Sequence, residues 1–158
     1  MQFPIIPMTE EDAHMIAAWH YTAPYDFYDM ESDPEDLAEF LDAQNWPESY
    51  YAVHDEQDTL VGFFAYRRVN TEEVEIGLGL KPELTGQGTG LAFIHAGMAF
   101  AQAHFSATRI SLRVAAFNTR AIRVYEQAGF VSLETYMQTT NGGQYPFLHM
   151  RSVLGAAP

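Results

Sequence analysis

The sequence predicts a mixed α/β fold (α+β in its pairing), with a central sheet of about six to seven strands and about four helices on its faces. Three observations predict it. Apolar residues alternate over several short stretches, as at Val74, Ile76, Leu78 and Leu80. Other stretches carry apolar residues at helical spacing, as at Leu91, Ile94, Met98 and Phe105. The two kinds follow one another as β-α-α-β-β-β-α-β-α-β-β. Strand–helix alternation in the second half argues for parallel pairing there, and the hairpins argue for antiparallel pairing elsewhere.

Phe3 to Ile6 is an apolar run that reads as the opening strand. Thr9-Glu10-Glu11-Asp12 resembles a capping box with Asp in place of Glu, and starts a helix to about His20, with Ala13, Ile16, Ala17 and His20 along one face. Tyr21 to Met30 is a loop by its proline, and an aromatic one. Asp33-Pro34 opens a second helix, with Asp as N-cap, Pro at the first position and Leu37, Phe40 and Leu41 on its apolar face. Tyr50–His54 and Thr59–Val69 read as strands around a polar turn, and Glu73–Lys81 as a third strand ended by Pro82. A helix runs from about Gly88 to Phe105 with two apolar stripes, so it is buried on two sides. Arg109–Val114 is a strand, and Asn118–Ala128 is a helix capped by Asn118 and stopped by Gly129. Phe130–Gln138 and Tyr145–Ser152 pair as a hairpin across Asn141-Gly142-Gly143.

A length of 158 residues suits one domain over residues 1–158, and 47% hydrophobic residues suffice for a core. No apolar run approaches the roughly 20 residues that span a bilayer. Met1-Gln2-Phe3-Pro4 lacks the basic and apolar regions of a signal peptide, and there is no cysteine. The expectation is a cytoplasmic protein without a membrane partner. The 21 acidic residues against 8 basic ones give a net charge of −13. That surface repels nucleic acid and attracts a cationic amine, besides keeping the protein soluble. Arg109, Arg113, Arg120 and Arg123 fall in one short stretch, where a polyanionic cofactor could use some of them. His20, His54 and the other histidines show no metal-ligand spacing, so no metal is expected.

The chemistry gathers at Thr85-Gly86-Gln87-Gly88-Thr89-Gly90, between a strand and a helix. Glycines let backbone approach a ligand closely, and the helix start adds free N–H groups and a positive dipole end. Together these make a phosphate cradle; a tight strand–helix connection without a ligand would use the same residues. No Gly-Lys-Ser/Thr follows, so the turn is not a P-loop, and the glycine spacing is not that of the dinucleotide fingerprint.

The stretch Glu75 to Gly90 resembles the acetyl-CoA motif of the GNAT acetyltransferases, usually (Gln/Arg)-x-x-Gly-x-(Gly/Ala) after a strand that ends near a proline. Asn118-Thr119-Arg120-Ala121-Ile122-Arg123-Val124-Tyr125-Glu126-Gln127-Ala128-Gly129-Phe130 resembles the family's Asn…Ala…Tyr-Glu-x-x-Gly-Phe segment. Both motifs in this order make the resemblance cover nearly the whole chain. It implies a GNAT-like mixed sheet and an N-acetyltransferase that uses acetyl-CoA as acyl donor and needs no metal. Two departures stand out: Thr85 replaces the usual Gln or Arg, and Arg113 stands where some members carry a glutamate.

The resemblance implies that Leu78, Gly79 and Leu80 pair with the pantetheine arm, and that Thr85, Gly86, Gln87, Gly88, Thr89, Gly90 and Leu91 cradle the diphosphate. Tyr125 matches the family tyrosine beside the cofactor sulfur; a phenol with a pKa of about 10 suits protonation of a leaving thiolate, and helix packing is its other reading. Asn118 contacts the cofactor or only caps its helix. Glu75 is the preferred general base, directly or through water, with Glu73 the alternative and an exposed strand carboxylate the plain reading of both. Tyr25, Phe27 and Tyr28, with Tyr21 and Asp29, form a wall for the acceptor amine, or a packed surface loop. Protein N-termini, polyamines, amino acids and antibiotics all remain as acceptors, and the acidic surface favours a small cationic molecule. A homodimer is common in the family. The competing reading is a non-catalytic acyl-CoA sensor, which Thr85 and Arg113 support.

Overall fold

The computed structural model describes residues 3–46 and 49–154. Met1 and Gln2, part of the stretch read above for a signal peptide, lie outside these residues. The strands are β1 Ile5–Pro7, β2 Ser49–His54, β3 Leu60–Arg68, β4 Glu73–Leu80, β5 Arg109–Ala115, β6 Val131–Thr140 and β7 Gly143–Val153. The helices are α1 Glu10–Ala17, α2 Pro34–Leu41, α3 Gly90–Phe105 and α4 Thr119–Gln127. The sheet order is β1-β2-β3-β4-β5-β7-β6. Its pairs are antiparallel except β4 with β5, which is parallel. The element order is the expected one.

Strand alternation sorts the core onto the two faces of the sheet. On β3, Phe64 and Tyr66 join the cluster of Val74, Ile76, Ile110 and Leu112 under α3 and α4. Phe63, the residue before Phe64, faces the other side and packs with Ile16 and Phe40 of α1 and α2. The rings of Phe64 and Phe93 stack with centroids 4.5 Å apart. Gly97 permits this approach, because a side-chain carbon there would collide with the Phe64 ring. Burying one such ring contributes about 1.5–3 kcal/mol, so the two aromatic residues fix how α3 lies on the sheet. No helix among the described residues is long and apolar enough to cross a membrane.

The differences from expectation lie at element ends. Helix α1 stops at Ala17 rather than near His20. The Asp29 carboxylate takes the Tyr21 N–H at 2.8 Å and the His20 ring at 3.0 Å, turning the chain away from the helix axis. His20 is therefore exposed rather than on the apolar face. Strand β1 begins at Ile5, and Phe3 instead packs edge-on against Phe93. Helix α3 starts at Gly90 because Gly88 has φ +81°, outside the helical region. The last hairpin turns on Asn141 and Gly142 alone, with φ +50° and +76°, so both strands are longer than expected.

Candidate active site

Strands β4 and β5 pair only through Glu73–Arg109, Val74–Ile110 and Glu75–Ser111. Beyond Glu75 they diverge, because β4 stays paired with β3 to Leu80 while β5 follows β7 to Ala115. The gap opens into a cleft of about 780 Å³. Ile76, Leu78 and Leu80 wall it on the β4 side, Val114 on the β5 side, Gly86 and Gly88 at the mouth, and Tyr125 inside. Backbone along the free edge of β4 is thus offered to a ligand. Gly79 keeps that edge close to β3, since a side-chain carbon there would strike the Phe63 ring.

The glycine turn continues from a short 3₁₀ turn, Pro82–Leu84. Gly86 and Gly88 have φ +73° and +81°, which other residues reach only with strain. No hydrogen bond among the described residues takes up the N–H groups of residues 86–92. Side chains brace the turn instead: Thr85 Oγ1 donates to Pro82 O at 2.7 Å, Gln87 Nε2 to Glu83 O at 2.6 Å, and Thr89 Oγ1 to Leu84 O at 3.1 Å. Thr85, Gly86, Gly88, Gly90 and Leu91 face the cleft, and the side chains of Gln87 and Thr89 serve the turn. Free N–H groups at a helix start suit an anionic group, and the cleft behind them fits a long thioester such as acetyl-CoA.

Helix α4 presents Tyr125 to the cleft, and its ring meets Phe130 edge-on at 6.0 Å. Burial, with Tyr28 nearby, pushes the Tyr125 phenol well above its ordinary pKa. It therefore stays protonated and can donate. Asn118 does two things at once. Its Oδ1 caps α4 by accepting from Ala121 N at 3.1 Å, and its Nδ2 donates to Tyr28 Oη at 3.2 Å. Tyr28 Oη also accepts from Ala115 N at 3.3 Å, which pins the aromatic loop to the end of β5. Burial raises the Tyr28 phenol, and these two donors oppose the rise.

The aromatic loop divides its residues. Tyr21, Tyr25 and Tyr28 line the cleft, and Tyr21 Oη donates to Leu80 O at 2.8 Å at the end of β4. Phe27 is not brought to the cleft: it packs against Phe117, Tyr145 and Phe147 and anchors the loop to the last hairpin. Glu75 is not among the cleft-lining residues either. Its Oε1 accepts from Arg113 Nε at 2.8 Å and its Oε2 from Arg67 Nη2 at 3.1 Å. Glu73 is buried and paired with Arg109 and Arg151. Arg113, which stands at the place of the family glutamate and is one of the four clustered arginines, reaches the cleft itself. Sequence reasoning missed the wall contributed by Trp19, Met30 and Phe63, because nothing local to those residues signals that they meet.

A second, smaller cavity of about 350 Å³ adjoins on the α2 side and shares Met30, Phe63, Gly77 and Leu78 with the cleft. Asp36 and Glu39 of α2 line it together with Phe40 and Tyr50. Burial, and the nearby carboxylates of Asp33, Glu39 and Glu35, hold the Asp36 carboxyl above its ordinary pKa. The cavity is thus electronegative, and no lysine, arginine or histidine among the described residues pairs with Asp36 or Glu39.

Comparison with known proteins agrees with this geometry. The family described as "Acetyltransferase (GNAT) domain" matches residues 4–131. A mycothiol acetyltransferase from Propionibacterium freudenreichii subsp. shermanii is 33% identical over 100 residues, which are 59% of this chain and 31% of that protein. A spermidine N-acetyltransferase from Vibrio cholerae, solved in complex with CoA and spermine, superposes with TM-score 0.76 at 20% identity, over 96% of this chain and 95% of that one. A spermidine N-acetyltransferase chimera from Vibrio cholerae and hSSAT superposes with TM-score 0.72 at 23% identity, over 97% and 96%. The seven-stranded mixed sheet, split between β4 and β5 and followed by a glycine turn, and the match across residues 4–131 lead to one conclusion: the chain belongs to the GNAT acetyltransferase family.

Proposed function

We propose that this protein is a cytoplasmic, single-domain N-acetyltransferase that moves the acetyl group of acetyl-CoA to the primary amine of a small cationic acceptor, with both substrates bound at once. The observation that carries this reading is the adjacency of two cavities, which share Met30, Phe63, Gly77 and Leu78 as lining. One is bordered by the glycine turn and Tyr125, and the other by Asp36 and Glu39. An amine entering past the α2 carboxylates would meet the acyl donor where β4 and β5 part.

The cofactor would be held by the N–H groups of the turn, by the free edge of β4 from Leu78 to Leu80, and by the side chains lining the cleft beside Asn118. When bound, it supplies an activated acyl group that a neutral amine can attack. Tyr125 holds a proton at its Oη for the departing sulfur, and general acid assistance of this kind typically contributes about 10²–10⁴-fold. Glu75 is the proposed acceptor of the amine's proton. Because guanidinium groups engage both of its oxygens, the proton would travel through water. The Tyr25 and Tyr28 rings offer faces to a cation. The acceptor's electrostatic attraction comes from the carboxylates of α2, which no cation among the described residues neutralises, and these favour a di- or polyamine over a neutral amine.

The test is thiol release from acetyl-CoA with a panel of amines, beside CoA binding by calorimetry. Turnover is expected with di- and polyamines and to be weaker with monoamines of the same chain length. Tight CoA binding without turnover on any amine would establish the non-catalytic sensor instead.

A further inference from the structure

All eight lysines and arginines lie within the described residues. Arg67, Arg109, Arg113, Arg151 and Lys81 are each paired with a glutamate. Arg68 donates to the backbone carbonyls of Asn70, Thr71 and Phe105. Arg120 and Arg123 have neither an ion pair nor a hydrogen bond among the described residues, and both line the cleft from α4. In a chain with 21 acidic residues, a guanidinium kept clear of carboxylates is held for another anion.

Arg120 is also aimed. Its guanidinium carbon stands 4.1 Å from the centre of the Tyr25 ring. Its Nη1 lies 3.2 Å from where a side-chain carbon on Gly86 would be, so the guanidinium sits directly beside the turn. Stacking on the ring uses the flat face of the guanidinium and leaves its N–H edge free, the edge that grips phosphate oxygens in pairs. Thr85, by contrast, spends its hydroxyl on Pro82 O and offers nothing long or charged.

We propose that Arg120 binds the cofactor diphosphate from α4, in place of the Gln or Arg that the turn lacks at Thr85. The proposal rests on the acetyl-CoA reading of the cleft. It adds that the charged contact comes from the facing helix rather than from the turn. It also links the two substrates, because the ring that orients Arg120 belongs to the loop that borders the acceptor side.

Calorimetric binding of CoA, dephospho-CoA and pantetheine to the whole protein tests it without relying on turnover. Arg120→Ala should weaken CoA and dephospho-CoA alike, by about 10- to 100-fold as for a charge-assisted pair, and leave pantetheine unchanged. Adding Thr85→Arg to that variant should restore most of the lost affinity, which also excludes a folding defect. Wild-type affinity in Arg120→Ala would overturn the proposal. So would a loss seen with CoA and not with dephospho-CoA, which would place Arg120 on the 3′-phosphate. Wild-type protein that binds neither CoA nor acetyl-CoA would overturn the cofactor reading itself, and this proposal with it.

Discussion

The side-chain amide of Asn118 donates to the phenol oxygen of Tyr28 at 3.2 Å, joining the cap of α4 to the aromatic loop across the cleft. With Ala115 N–H also bound to that oxygen, both phenol lone pairs are occupied. In Tyr28→Phe these two donors lose their partner. The expected cost is about 1–3 kcal/mol for the stranded groups, read as a lower denaturation midpoint, together with slower turnover from a loosened loop.

Tyr125→Phe should separate chemistry from binding. Its hydroxyl has no hydrogen-bond partner among the described residues and its pKa is raised by burial, as suits a proton donor held ready. Steady-state kinetics should show kcat lowered about 100-fold, in the range of general acid effects. Calorimetry should show CoA affinity unchanged. Full turnover in the purified variant would remove Tyr125 from the proposed chemistry.

Gly88→Val places a β-branched residue at φ +81°. No atom lies within 4 Å of the added carbon, so the obstacle is backbone conformation rather than crowding. The turn must reorganise, and CoA affinity should fall more than about tenfold, given strain of order 1–3 kcal/mol. Equal affinity by calorimetry would show that the turn does not need this conformation.

His54 bridges Asp12 of α1 and Asp58 of the β2–β3 turn, at 3.2 and 2.9 Å. Burial opposes its charged form, but the hydrogen bonds and charges of Asp58 and Asp12 overcome it and raise the pKa above 6.5. A raised histidine pKa stabilises the fold fully below the unfolded value, and that stability is lost as pH rises through the folded value. Thermal midpoints should therefore decline from pH 6 towards pH 8 more steeply in wild type than in His54→Gln. Parallel profiles would show that the bridge contributes nothing.

Much of the architecture was legible locally. Thr9 and Asp12 do form a capping box, Asp33 and Asn118 do cap α2 and α4, and Gly129 at φ +100° ends α4. Such signals need only neighbours in the chain. The ends of α1 and α3 were misread because the competing partner, Asp29, lies nine residues beyond His20, and because the conformation of Gly88 is set by the turn as a whole.

The sequence by itself determined the order of elements, the glycine turn and the acyl-CoA resemblance, since each rests on residues a few positions apart. Only the tertiary structure decided which side chains serve the cleft. Phe27 and Tyr28 are adjacent in sequence, yet the ring of one is spent on Phe117 and Tyr145 while the hydroxyl of the other binds Asn118. Glu75 and Arg113 are 38 residues apart and end paired at 2.8 Å, a contact that neither residue signals locally. Of the four arginines the sequence offered to a polyanionic cofactor, folding paired Arg109 and Arg113 with glutamates and left Arg120 beside Gly86. Pairing between distant residues depends on the register of β4 against β5 and on the packing of α4 above them, and no local spacing encodes either.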